Sequence, residues 1–300
     1  MKPSICTDWT AAKAKAFTRE PVSFRHRLQH RLMFTDAALL DVLKAYPREK
    51  LGVFTMGDDP ANVSAWRPGL PGDLSPAELL EAVRTGRLWL SMQRVERYAP
   101  DYAELCAEII DDHARFAPHS RTFGGRATLI IGSPNAHDTY HARLALGSLW
   151  QLRGSRSLWL YPSQAPFVRE EDLERIVRRE AGPQIAYDTS FDDAALRFAL
   201  QPGMMVTWPQ GTPRRMVNGD GLNVSLAVDF MTPRALARAN VLYANGKLRR
   251  DFGMRPGLQE GLHPAAIGKA ALAKMWRAFD GGRRQVEAPR PQFRLARAAA

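Results

Sequence analysis

The sequence predicts a mainly β globular unit in which a compact strand-rich domain is flanked by helices. Apolar residues recur at helical spacing in the first third of the chain, at the strand period of two from about Ala127 to Phe230, and at helical spacing again after Pro233. The N-terminal helices are too few to form a core of their own. We therefore expect one fused fold of helices, then strands, then helices.

Residues 1–120 are expected to form a helical region packed on the β domain. Helices are predicted after the cap Thr35-Asp36, after Ser75-Pro76, and over DYAELCAEIIDDHARF. In the last helix one face carries Tyr102, Leu105, Cys106, Ile109, Ile110 and His113. We therefore expect His113 to lie at the edge of a core and not to bind a metal.

Residues 121–232 carry the predicted strands. ATLIIGSP precedes SLWQLRGSRSLWLYP, in which Arg153-Gly154-Ser155 supplies the turn of a hairpin. After a charged helix the strands resume as LRFAL and MMVTWP, joined by the turn Pro202-Gly203. The clearest strand is LNVSLAVDF, whose alternation of apolar with small or polar residues indicates one buried face.

Residues 233–285 return to helical spacing, and residues 286–300 are expected to form a flexible tail. In PAAIGKAALAKMWRAF an apolar stripe is formed by Ile267, Ala271, Met275 and Phe279. This stripe either packs back on the β domain or joins two copies of the chain in a homodimer. The sequence leaves both interpretations open.

The composition bounds the class of protein. The 300 residues carry a net charge of +11 with a pI near 10.0, which suits an anionic partner such as nucleic acid, an acidic protein or peptide, or an anionic small molecule. A solvated surface has the same composition, so charge alone does not choose among these. With two cysteines, no signal-like N-terminus and no membrane-length apolar segment, we expect a cytoplasmic protein with no membrane partner.

Two segments of the β domain carry the motifs of a known family. SPNAHDTYHARLALGSLWQLRGSRSLWLYP and ALQPGMMVTWPQGTPRRMVNGDGLNVSLAVDF keep the order and spacing of its turns, strands and ligand motifs. In these segments the chain resembles bacterial cupin-like JmjC proteins and asparaginyl hydroxylases, which belong to the Fe(II)- and 2-oxoglutarate-dependent oxygenase superfamily. The resemblance implies a double-stranded β-helix, or jelly-roll barrel, of the cupin/JmjC type over residues 121–232.

The family's metal motif is only partly kept. Alignment without gaps places His141 on the first metal-binding His, Arg143 on the Asp and Arg214 on the distal His. Asp138 falls where the family usually has a Thr that contacts 2-oxoglutarate, and Arg156 where a Lys binds the far carboxylate of that co-substrate. The resemblance therefore implies a barrel whose iron site is degenerate.

Arginine cannot replace either missing ligand. Iron in these oxygenases needs two His and one carboxylate, and a guanidinium stays protonated and has no lone pair to offer. We therefore expect no cofactor at the family site. A displaced site made of His137, Asp138 and His141 has the right chemistry for Fe(II) with 2-oxoglutarate, but its i, i+4 histidines suit a helix and this segment is predicted to be a turn running into a strand.

The aligned arginines suggest a different use of the barrel. If Arg143, Arg156 and Arg214 point inward, burying them is costly unless carboxylates such as Asp138 or Asp229 neutralise them or an anionic ligand binds them. Gln151 matches a position in the barrel wall, and Asn218 is expected in a turn. Trp150, Trp159 and Trp208 lie on strands and are expected in the core.

Three functions remain open from the sequence. The first is a pseudoenzyme, a binding or regulatory module with an anion pocket formed by Arg143, Arg156, Arg214, Asp138 and Gln151. The second is an Fe(II)/2-oxoglutarate-dependent hydroxylase of a protein or small molecule that uses the displaced ligands. The third is a basic protein that contacts nucleic acid, whose binding would weaken steeply with salt.

Overall fold

The computed structural model describes residues 3–59, 61–257, 264–279 and 290–297. Its strands are β1 (Val22–Arg25), β2 (Gly52–Thr55), β3 (Arg67–Leu70), β4 (Leu88–Gln93), β5 (Phe123–Gly132), β6 (Leu146–Arg153), β7 (Arg156–Leu160), β8 (Leu196–Leu200), β9 (Met204–Trp208), β10 (Arg214–Asn218), β11 (Asn223–Met231) and β12 (Phe293–Arg294). Its α-helices are α1 (Ala11–Ala16), α2 (Asp36–Ala45), α3 (Pro76–Thr85), α4 (Pro100–Phe116), α5 (Glu170–Val177), α6 (Pro233–Phe252) and α7 (Pro264–Phe279).

Two sheets face each other and form the barrel. Within the described residues the larger sheet has the strand order β1-β9-β6-β11-β5-β4-β2-β3-β12 and the smaller sheet the order β10-β7-β8. The pairings are antiparallel, except that β12 runs parallel to β3. The segment 136–142 extends the smaller sheet alongside β10, because the Asn218 amide donates to the Ala136 carbonyl at 2.8 Å and the Asp138 amide donates to the Met216 carbonyl at 3.1 Å.

The central strands β6 and β11 of the larger sheet are buried on both faces. The outer face of this sheet packs on the N-terminal helices, and this core contains Val224, Leu226, Val228 and Phe230 of β11. The inner face closes on the smaller sheet through a second core that includes Leu149, Val206, Leu158 and Met216. The alternating apolar residues of β11 therefore face away from the barrel interior, and its Ser225, Ala227 and Asp229 face into it.

The predicted helix starts are confirmed. Thr35 caps α2 by accepting a hydrogen bond from the Ala38 amide, and Ser75 and Glu78 form a reciprocal capping box at the start of α3. These caps satisfy amides that have no partner within the first helical turn. Among the described residues, no helix is both long enough and apolar enough to cross a bilayer.

Two expectations about the ends of the chain need correction. The region 1–120 is not only helical, because it also supplies β1, β2, β3 and β4 to the larger sheet. Three of these strands have four residues, too few to show a period, and β4 is an apolar run buried on both faces, which lacks alternation. The C-terminal tail was expected to be flexible, but its described residues 290–297 include a strand on the sheet, in which Phe293 pairs with Gly69. Residues 286–289 and 298–300 lie outside the described residues.

Helix α7 packs on α6, but not through the predicted stripe. Ala273 is buried against Tyr243 and Ala244 of α6, whereas Ile267 and Met275 of the stripe are exposed to solvent. The side chain of Phe279 lies outside the described residues. Homodimerisation through the exposed stripe therefore remains a prediction.

Candidate functional site

His141 and Arg214 lie opposite each other at one end of the barrel. The His141 amide donates to the Arg214 carbonyl at 3.0 Å, and the Arg214 amide donates to the His141 carbonyl at 2.9 Å. Residues paired in this way direct their side chains to the same face of a sheet. The structure therefore brings together two of the three positions at which the resemblance expects metal ligands.

The Arg214 guanidinium is buried without a carboxylate partner among the described residues. Its Cζ lies 4.8 Å from the ring centroid of Trp208, and Nη1 donates to the Thr212 carbonyl at 3.4 Å. Burial first, and the nearby charge of Arg143 second, lower the pKa of Arg214 to about 10, and Asp229 and Asp138 act in the opposite direction. The pKa shift shows that the surroundings disfavour this charge.

Arg143, the third expected ligand position, lies at the rim of the barrel. Its Nη1 is 3.5 Å from the Asp229 carboxylate, and the side chain is 41% exposed. Because Arg143 is partly solvated, its ion pair with Asp229 is screened and contributes little stability. Arg143 is therefore a partly solvated cation at the rim, and Arg214 is a buried cation behind it.

Arg156 lies deep in the barrel and is only 2% exposed to solvent. Its Nε donates to Asn218 Oδ1 at 2.9 Å and its Nη1 to Ser225 Oγ at 2.9 Å, so the side chain spans both sheets. The guanidinium stacks over Trp89, with Cζ 5.0 Å from the ring centroid. These hydrogen-bond partners are neutral, and burial lowers the pKa of Arg156 to about 10.

One atom of this guanidinium has no partner. Arg156 Nη2 is buried and makes no hydrogen bond to any described residue. Gln151, which lies across from Ser225 on the neighbouring strand, likewise has a buried Oε1 without a described partner. Its amide nitrogen is used by the turn after β6, where it donates to the Arg153 and Gly154 carbonyls and to Asn223 Oδ1. A buried polar atom without a hydrogen-bond partner costs folding free energy, so each such atom needs an explanation.

Asp138 is a buried carboxylate beside His141. Its Oδ1 accepts from the Met216 amide at 2.6 Å, and its Oδ2 lies 3.5 Å from His141 Nδ1. Burial raises the pKa of Asp138 to about 7, against the opposing influence of the Met216 amide and of Arg214, Arg156 and Arg215. Burial and the two arginines Arg214 and Arg143 hold the pKa of His141 well below its usual range, so this imidazole is neutral.

The displaced metal site that the sequence left open as an alternative is not assembled among the described residues. His137 turns away from Asp138 and His141, and its Nε2 lies 3.0 Å from the Gly57 carbonyl. Neighbouring residues on an extended segment point to opposite sides, which separates His137 from Asp138. Over residues 3–59, 61–257, 264–279 and 290–297, no cluster of three or more His, Cys, Asp or Glu side chains could hold a metal ion.

The resemblance implies two bound groups, iron and 2-oxoglutarate, and the residues of this site do not suit both equally. Iron does not fit, because His141 has a guanidinium at both positions where the family supplies its other ligands, and a cation there repels a metal ion. A carboxylate, such as one end of 2-oxoglutarate, matches the chemistry of Arg156, which has an unpaired donor deep in the barrel. At the family's metal positions the chain offers one histidine and two guanidinium groups, and not the two histidines and one carboxylate that iron needs.

Several residues of the site escaped sequence reasoning. Asn218 is not in a turn but in β10, where it accepts from Arg156 and donates to the Ser133 carbonyl at 2.8 Å. Ser225 was visible only as one of the small or polar residues that alternate along β11, and Trp89 belongs to a strand that was not predicted. Trp150, Trp159 and Trp208 were expected in the core; Trp150 and Trp208 are buried, and Trp159 stacks with Arg215 on the outer face of the smaller sheet.

Comparison with known proteins identifies the fold. No family model and no curated protein matches the sequence. An X-ray structure of Escherichia coli YcfD aligns over 92% of this chain and 69% of that one, with 16% identity and a TM-score of 0.53. A crystal structure of the same protein, described as a ribosomal oxygenase, aligns over 92% and 68% with 16% identity and a TM-score of 0.50. This likeness confirms the predicted fold, a JmjC/cupin-like double-stranded β-helix, and shows the fold alone.

Proposed function

We propose that the chain is a binding module that holds a small anion, in place of iron, inside a JmjC/cupin-like barrel. The observation that carries the proposal is the guanidinium of Arg156, which is buried with no carboxylate partner and with Nη2 unpaired among the described residues. Removing such a charge from water costs several kcal/mol unless an opposite charge compensates it. A bound anion supplies that charge.

The positions of the arginines suggest an anion with two charged ends. Arg156 pairs across the sheet with Asn218, four residues along β10 from Arg214, which corresponds to about 13 Å of strand. Two arginines separated by this distance suit a short dicarboxylate, with one carboxylate at Arg156 and the other near Arg214 and Arg143. Guanidinium groups bind carboxylates through paired hydrogen bonds, which gives both affinity and orientation.

The proposal is tested by ligand-dependent stabilisation. Succinate and 2-oxoglutarate are titrated against the protein in metal-free buffer, and the melting temperature is followed. At about 100 times the dissociation constant, a single site adds about 2.7 kcal/mol, which in a chain of 300 residues raises Tm by roughly 4 °C. We expect this rise in the native protein and its loss in Arg156→Met, which keeps an unbranched stem in the barrel but removes the charged guanidinium.

Arg215→Met is the matched control. Arg215 is also largely buried and lies next to Arg214 in β10, but it faces outward and pairs with Asp192. The control should melt at a lower temperature and still gain the full stabilisation from the acid. A rise in Tm that survives Arg156→Met, or no rise with either acid, would overturn the proposal.

A metal titration separates the proposal from hydroxylase chemistry. The native protein and His141→Ala are compared for Fe(II) binding under anaerobic conditions, with and without 2-oxoglutarate. We expect the two proteins to be indistinguishable, because one histidine beside two guanidinium groups holds iron too weakly. Stoichiometric iron that is lost in His141→Ala would refute the binding-module proposal.

A further inference from the structure

A second basic feature lies outside the barrel interior. A cleft of about 870 Å³ opens between the turn after α1, the turn before β5, the end of β7 and the start of α6. Four arginines line it, and we call it the basic cleft: Arg19, Arg121, Arg234 and Arg238. Arg143, Arg156 and Arg214 are not part of its lining, although Thr212, whose carbonyl accepts from Arg214, is.

The lining of the basic cleft carries an excess of positive charge. Glu20 is the one acidic residue among the described residues that line it. Arg19 and Arg121 are exposed, and neither makes an ion pair with any described residue. Clefts lined by one sign of charge focus the electrostatic potential and attract ions of the opposite sign.

The floor of the basic cleft adds directed polar groups. The 20-residue helix α6 begins there, and Thr232 caps it by accepting from the Ala235 amide at 3.1 Å. The positive end of a long helix favours anions. Gln210, which is 7% exposed, donates through Nε2 to the carbonyls of Leu144 at 2.7 Å and Ala235 at 2.8 Å, and its buried Oε1 has no partner among the described residues.

The basic side chains that line the cleft are better suited to a phosphate polymer than to a carboxylate polymer. The cationic lining consists of arginines without a lysine, and 34 of the 42 basic residues of the chain are Arg. Guanidinium is the preferred group for phosphate and nucleic-acid recognition. Hydroxyl groups of Thr18 and Ser163 also line the cleft, and such groups commonly contact phosphate oxygens.

We infer that the basic cleft binds the phosphodiester backbone of a single-stranded nucleic acid. A cleft of about 870 Å³ is in the size range of sites that enclose one small-molecule-sized group, which suits a short run of one strand. Positively charged grooves that follow the backbone are the usual way in which proteins bind single strands without sequence preference. The net charge of +11 supports the approach of such a polyanion over long range.

The test is the salt dependence of binding to a fluorescent uridine oligonucleotide of about ten residues. For single strands, the logarithm of affinity falls with the logarithm of salt concentration at about 0.7 per phosphate neutralised. Over about 50 to 200 mM salt, the double variant Arg19→Ala with Arg121→Ala should therefore have a slope smaller by about 1.4. The matched control is Arg67→Ala with Arg97→Ala, which removes two exposed arginines that do not line the cleft.

The outcomes separate binding in the basic cleft from attraction by the charge of the whole chain. A smaller salt slope in the cleft variant, with unchanged slopes in the control variant and in Arg156→Met, supports binding in the basic cleft. Because Arg156→Met alters the barrel site, this result does not depend on that site. Equal losses in both double variants would show attraction by total charge alone and overturn it. Absence of oligonucleotide binding, or tighter binding of a polyglutamate peptide of the same length, would also overturn it, and the peptide result would indicate an acidic protein partner.

Discussion

His141 and Arg214 face each other across neighbouring strands and exchange both of their backbone hydrogen bonds. In the family that the sequence resembles, these two positions hold two histidines on one metal ion. The same backbone pairing here places an imidazole next to a guanidinium, which stacks on Trp208. The scaffold that would gather metal ligands is therefore present, and the side chains it gathers bind anions better than cations.

Restoring the ligands should restore metal binding. In the double variant Arg143→Asp with Arg214→His, the chain would again present two His and one carboxylate at the barrel rim, which is the set that binds Fe(II). We expect roughly 100-fold tighter Co(II) binding than in the native chain, because the repelling cations become ligands. Titration followed by visible absorption measures it.

The control for this restoration adds His141→Ala to the double variant. Co(II) binding should then return to the level of the native chain. If the double variant folds, as judged by circular dichroism, and gains no affinity, then the rim of this barrel does not gather the three positions as its backbone pairing indicates.

A buried histidine far from the site should make stability depend on pH. His113 lies between Phe17 and Phe230, both of its ring nitrogens lack a described partner, and burial lowers its pKa to about 3. The unfolded chain has the ordinary histidine pKa near 6.5 and so binds the proton first as the pH falls. Its contribution is fully present above about pH 6.5 and is lost progressively toward pH 3.

The prediction for His113→Phe follows from this sign. Between about pH 7.5 and pH 5, the native chain should lose roughly 2 kcal/mol more of its free energy of unfolding than the variant, measured by urea denaturation. The same exchange at the exposed His119 is the control and should leave the pH dependence of the native chain unchanged. Parallel pH profiles for the native chain and His113→Phe would contradict the prediction.

The C-terminal strand should depend on a glycine. Phe293 of β12 packs over Gly69 of β3, and a Cβ added at Gly69 would overlap the phenyl ring. Gly69→Ala should therefore displace the strand and cost about 1–3 kcal/mol, as overpacking usually does. Urea denaturation measures the cost, and trypsin cleavage after Arg294 reports release of the strand.

Gly257→Ala is the control for the glycine exchange. A Cβ at Gly257 would meet no atom within 4 Å, so this variant should have the stability and the cleavage rate of the native chain. Equal behaviour of the two variants would mean that the contact between Phe293 and Gly69 does not hold the tail.

The sequence predicted those elements whose signals are local. Helices α2 and α3 start where Thr35 and Ser75 can cap them, and β11 has a period of two, because capping and alternation depend only on near neighbours in the chain. The strands β1, β2 and β3 were missed because four residues show no periodicity, and β12 because a short polar segment forms a strand only when a partner edge is available.

For the site, the sequence by itself determined which side chains occupy the positions where the family binds its metal. It therefore also determined that two of these positions carry an arginine in place of an iron ligand. Only the tertiary structure decided what those side chains meet. Asp138 and His137 are adjacent in the chain but turn to opposite sides of one strand, whereas Arg156 and Ser225 are 69 residues apart and share a hydrogen bond across the two sheets. The burial of Arg156 arises from that closure of the barrel, because the free energy of a charge depends on its surroundings and not on its place in the chain.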